Sequence, residues 1–153
     1  MTFWTWLLIS LIIILIFSSQ VAGRLDKLHR RVSSARTTLW RRCNERYEAA
    51  LASSNYEVQL AALSAKKAAE TKLFSPSHLL AESELTRVMQ LEPISISLDR
   101  TQLRLQDARR MYNEAVRATL YLRSWRISRW LRLAGRATAP KYVDFDDSAL
   151  TIQ

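Results

Sequence analysis

Few side chains in this 153-residue chain are of types that perform covalent or metal chemistry. The two histidines, His29 and His78, are 49 positions apart, whereas a zinc or catalytic centre needs three or four convergent ligands. Both are therefore expected to be solvated surface residues. The single cysteine, Cys43, excludes a disulfide framework. It falls among apolar positions at helical spacing, where a thiol packs as a small hydrophobe. Asp144, Asp146 and Asp147 are grouped, but a calcium loop also requires a glycine turn and a following glutamate. A solvated acidic tail is the expectation there. No glycine-rich phosphate loop, nucleophile elbow or paired-carboxylate arrangement is visible. The sequence thus nominates no catalytic residue, no metal ligand and no cofactor.

What remains is charge. The chain carries 23 Lys plus Arg against 14 Asp plus Glu, a net charge of +9. Residues 24–46 hold eight basic and two acidic side chains, and residues 117–136 hold six arginines and no acid. Between them, residues 47–99 are net acidic. On a helical wheel Arg126, Arg129, Arg132 and Arg136 share one arc with Arg117, while Val116, Leu120, Ile127, Trp130, Leu131 and Ala134 occupy another. Trp125, Arg126, Arg129, Trp130, Arg132 and Arg136 therefore form a candidate face for anionic lipid or an acidic partner. Nucleic acid is the alternative polyanion, although no aromatic stacking platform or recognised binding pattern accompanies the arginines. A merely solvated face is the competing account.

The elements that would position such a face begin with an apolar segment. No charged residue lies between Thr2 and Gly23, and Phe3–Phe17 is interrupted only by Thr5 and Ser10. Twenty-two helical residues rise roughly 33 Å, enough to cross a hydrocarbon core of about 30 Å. Val21-Ala22-Gly23 resembles a signal-peptidase site, but a signal peptide carries a basic leading region, and nothing basic precedes Phe3. An uncleaved anchor is expected. Arg24, Lys27, Arg30 and Arg31 follow the span at once, which places residues 24–153 on the cytoplasmic side.

Beyond the anchor the apolar spacing is helical throughout, and two glycines with three prolines argue against sandwich and barrel folds. Leu25, Leu28, Val32, Ala35, Leu39, Cys43, Tyr47 and Ala50 mark a first seam. It can be continued to Leu73 unless Ser53-Ser54-Asn55 breaks it. Ser75-Pro76-Ser77 opens a short helix over Leu79–Leu91, closed by Pro93. A last helix is expected from about Leu98 to Leu133, with Leu98, Leu105, Ala108, Tyr112, Ala115, Thr119 and Leu122 on its seam and Gly135 as its cap. With the break, helices of about 29, 18, 16 and 37 residues run up, down, up and down, and the last returns to bilayer level near Trp125–Arg136. The division is 1–23 anchor, 24–136 bundle and 137–153 irregular acidic tail.

The run Ala108-Arg109-Arg110-Met111-Tyr112-Asn113-Glu114-Ala115-Val116 resembles the signature of the LemA family, bacterial proteins with an N-terminal membrane anchor and a helical-bundle domain. Gly135, Tyr142 and Asp144 extend the likeness, and Leu60–Lys67 is similar to the family's second helix. The chain departs from the family pattern at Leu91-Glu92-Pro93 and at Trp125-Arg126, and it is shorter in its middle. The resemblance implies an all-α fold: a transmembrane helix followed by an antiparallel up-and-down four-helix bundle with long first and last helices. It implies a bacterial plasma-membrane location and no reaction. Ala108, Arg109, Arg110, Tyr112, Asn113, Ala115 and Val116 are then structural residues. Asn113 is expected to make a hydrogen bond across the bundle that fixes register, in preference to binding a ligand, and Arg109 and Arg110 to be solvated or to pair with acids such as Glu57, Glu82 or Glu84. The expected function is that of a non-enzymatic scaffold holding lipid or protein partners at the membrane. A membrane-tethered nucleic-acid binder and a subunit of an envelope complex are the alternatives, and homo-oligomerisation is compatible with all three.

Overall fold

The structure is a computed structural model describing residues 2–91, 95–125 and 138–146. Its four helices are α1 (Thr2–Leu51), α2 (Tyr56–Thr71), α3 (Pro76–Gln90) and α4 (Ile96–Ser124), and the fold is all-α. The chain divides into two compact units, one of residues 1–34 with 114–141, the other of residues 35–113 with 142–153.

The second unit is the bundle. Its core comprises Leu39, Cys43, Tyr47 and Ala50 from α1, Val58, Ala62 and Ala65 from α2, Leu85 and Met89 from α3, and Leu98, Leu105, Ala108 and Tyr112 from α4. Small residues on α2 let its backbone lie close to its neighbours, so a 16-residue helix buries its face with alanine alone in most positions. Near one end Arg36 of α1 lies over the Phe74 ring, which in turn meets Tyr112 of α4. Further along, Arg46 of α1 bonds Gln102 of α4. Position rises on α1 as it falls on α4, so the two helices are antiparallel.

The turns are set by capping chemistry. The Ser53-Ser54-Asn55 segment is a true break: Asn55 accepts from the N–H groups of Glu57 and Val58 at 2.8 and 3.3 Å and caps α2. One turn later in the chain Ser75 caps α3 through the N–H of His78, with Pro76 in the first helical turn. Phe74, between α2 and α3, has φ 57°, a left-handed conformation that costs a non-glycine residue of order 1 kcal/mol.

The first unit contains residues 2–34 of α1 and the start of its partner stretch at Glu114 in α4. All thirteen large apolar side chains from Phe3 to Phe17 are exposed, from 45% at Phe17 to 72% at Trp4 and Trp6. The helix that carries them, from Phe3 to Leu51, is long and apolar enough near its start to cross a membrane. Just beyond it Val21 and Leu25 are buried against Leu122 of α4, with Leu28 packed alongside.

The seam residues expected on α4, from Leu98 to Leu122, are all buried. Arg126, Arg129, Trp130, Arg132, Gly135 and Arg136, and Pro93 and Asp147, lie outside the described residues.

Candidate functional site

Inside the bundle three helices contribute a cluster of polar groups with no exposure: Arg46 and Tyr47 from α1, His78, Glu82 and Thr86 from α3, and Gln102 from α4, of which Tyr47 alone counts as part of the apolar seam. Helical geometry assembles it. His78, Glu82 and Thr86 follow at steps of four on one face of α3, and Arg46 lies three residues after Cys43 on the inward face of α1. The Arg46 guanidinium bonds Thr86 Oγ1 at 3.0 Å, Gln102 Oε1 at 2.8 Å and the Glu82 carboxylate. Glu82 also accepts from the Tyr47 hydroxyl, and His78 Nε2 lies within hydrogen-bond distance of both the Tyr47 oxygen, at 2.9 Å, and Glu82, at 3.0 Å.

The direction of each bond can be read. The backbone N–H of Phe74 donates to His78 Nδ1 at 3.0 Å, so Nδ1 carries no proton and Nε2 does. Burial, reinforced by the nearby Arg46 charge, lowers the His78 pKa to about 4 and keeps the ring neutral. Burial likewise holds the Tyr47 phenol protonated far above its ordinary range. Glu82 is thus an acceptor at the centre of converging donors, and its charge is met by Arg46. A buried pair satisfied in this way locks three helices in one register.

This cluster corrects two expectations. His78 is not a solvated surface residue but has 0% exposure, because the polar partners on α1 and α3 supply what water would. Glu82 is not a partner for Arg109 or Arg110: it faces Arg46 inside the bundle. His29 is half-buried rather than solvated. Cys43 behaves as expected, fully buried and unbonded to another cysteine, with burial raising its thiol pKa to about 11.

The signature residues hold a second arrangement. Ala108, Tyr112, Ala115 and Val116 are buried, and Arg110 is exposed. Asn113 does not span the bundle to another helix. Its Nδ2 donates to the carbonyl of Val143 at 2.8 Å and its Oδ1 accepts the Val143 N–H at 3.0 Å. Arg109 pairs with Asp144 at 3.2 Å, and its guanidinium lies 5.7 Å from the centre of the Phe145 ring. The tail is irregular as expected over 138–146, yet it is not simply solvated: Val143 and Phe145 are buried, and the Asp146 N–H donates to Ser83 Oγ at 3.0 Å.

In the first unit Arg31, Glu114, Arg117, Ala118 and Tyr121 line an open groove between α1 and α4. Trp125 is exposed and meets Tyr121 edge to face at 6.0 Å. Of the six candidate lipid- or partner-binding residues it is the one that is described.

No family model, curated protein or solved structure matches the chain.

Proposed function

We propose that this chain is a single-pass anchored protein of the bacterial plasma membrane, a divergent relative of the LemA family, whose bundle lies on the cytoplasmic side and serves as a non-enzymatic scaffold. The observation that carries the reading is the exposed apolar surface of Phe3–Phe17 on a helix continuous into the bundle. Such a surface is stable in lipid and a liability in water. From Phe3 to Val21 the rise is about 28 Å, so Leu122 meets α1 where a bilayer would end. Arg24, Lys27, Arg31 and Arg117 are exposed just beyond that level, where anionic headgroups attract each basic side chain by about 1 kcal/mol. Tyr121 and Trp125 stand at the same level, and aromatic side chains favour that interface. In the bundle the polar core is a clasp between helices, which suits a rigid holder of partners.

The test is a pair of fusions after Gln153 in bacterial cells. A fluorescent protein should light the membrane and alkaline phosphatase should be inactive. Active phosphatase would overturn the orientation, and a mature N-terminus near Gly23 would overturn the anchor.

A further inference from the structure

The tail contacts have the form of peptide recognition. Along residues 142–146 burial alternates: Tyr142 exposed, Val143 buried, Asp144 exposed, Phe145 buried, Asp146 exposed. That period of two belongs to an extended chain laid on a surface. The surface reads its backbone through the Asn113 carboxamide, which takes the N–H and the carbonyl of one residue, and through Ser83 Oγ, which takes the N–H three residues on. It reads side chains through Arg109, which meets an acid and the ring of the next residue. Paired main-chain bonds give affinity for any extended segment, and the alternate side chains give selectivity.

We propose that the α3–α4 face bearing Ser83, Arg109 and Asn113 is a recognition site for an extended segment of alternating apolar and acidic residues, of the Val-Asp-Phe-Asp kind, on a partner protein. The chain's own residues 142–146 occupy the site and set the threshold a partner must exceed. The Asp144 side chain is 91% exposed even while paired, so the resident segment is held mainly by Asn113 and by burial of Val143 and Phe145. A tethered segment competes at an effective concentration in the millimolar range. A free peptide of the same sequence should therefore bind weakly to the intact chain and well once the resident segment is weakened. This holds wherever the protein resides and is independent of the membrane reading.

The experiment uses the full chain in detergent micelles and a fluorescent peptide of residues 141–147, followed by anisotropy. Phe145→Ser should tighten peptide binding at least tenfold over the unaltered chain. Adding Asn113→Ala to Phe145→Ser should reverse the gain, and a peptide with the same residues in scrambled order should not bind. Should Asn113→Ala lower the helical circular dichroism, Arg109→Gln serves in its place and should weaken binding severalfold, with the remainder less sensitive to salt. Equal binding of ordered and scrambled peptides, or no gain from Phe145→Ser, overturns the proposal. So does a dimer of the unaltered chain that dissociates with Phe145→Ser, because the site would then serve tail exchange between copies.

Discussion

Arg46 of α1 and Glu82 of α3, 36 residues apart in the chain, form an ion pair in which neither side chain has any exposure. Removing one member leaves the other charged and buried. Arg46→Met or Glu82→Met alone should therefore destabilise the bundle by about 3–5 kcal/mol. The double variant Arg46→Met with Glu82→Met should lose clearly less than the sum, because two uncompensated charges become none. Urea unfolding of all three variants in micelles, followed by circular dichroism, measures the coupling. Strict additivity would show that the pair does not act as a unit.

His78 gives the bundle a defined acid sensitivity. Its folded pKa of about 4 lies below the ordinary value of 6.5, so the unfolded chain binds this proton first as the pH falls. Stability from this residue is complete above pH 6.5, declines between 6.5 and about 4, and changes no further below that. The full loss amounts to roughly 3 kcal/mol. His78→Gln removes the titrating ring, and its unfolding free energy should fall less than that of the unaltered chain over that range. Identical slopes would mean that the ring protonates freely in the fold.

Cys43 should be chemically silent in the folded protein. Its thiol is fully buried and its pKa is raised from 9.0 to about 11, so at pH 8 neither access nor thiolate is available. Ellman's reagent should label it only after denaturation. Because the folded pKa is the higher one, the neutral thiol's contribution to stability is intact below pH 9 and is lost as the pH rises towards 11. Rapid labelling at pH 8 without denaturant would contradict its burial.

The pairing of Val21 with Leu122 can be trapped covalently. Val21→Cys and Leu122→Cys in a Cys43→Ala background should join rapidly with a short thiol crosslinker, because both side chains lie in one buried cluster. Moving the second cysteine to exposed Tyr121 should slow the reaction at least tenfold, since that position points away from the cluster. Equal rates would mean that α4 does not pack on α1 at this level.

Much of the fold was legible because helical periodicity is a repeated signal. Each of the seam positions from Leu98 to Leu122 reports the same face, so one exception would not disturb the reading. The break at Ser53-Ser54-Asn55 was visible as composition but became decisive only through the Asn55 cap. The buried polar cluster was missed for a physical reason. Arg46, Glu82 and Gln102 are side chains that ordinarily seek water, and they are buried where partners distant in sequence meet the Arg46 guanidinium, the Glu82 carboxylate and the Gln102 Oε1. Their spacing nonetheless carried a clue. Leu39, Cys43, Arg46 and Ala50 follow steps of 4, 3 and 4, and His78 stands four residues before Glu82. Asn113 was recognised as a hydrogen-bonding residue of α4, but its partner could not be read, since nothing local specifies that Val143 returns to it.

The turn conformation of Phe74 has a consequence for proton movement. A relay requires every link to be able to donate and accept in either sense. Here the first link is a peptide N–H, which can only donate, and it fills the Nδ1 lone pair of His78. From there the ring's other proton faces the Tyr47 oxygen at 2.9 Å and Glu82 at 3.0 Å, and the Tyr47 hydroxyl and the Arg46 guanidinium donate to Glu82. The chain of bonds therefore has one direction and a dead end. Histidine, tyrosine and glutamate are in contact here, but the donors converge on Glu82 instead of handing a proton across the bundle.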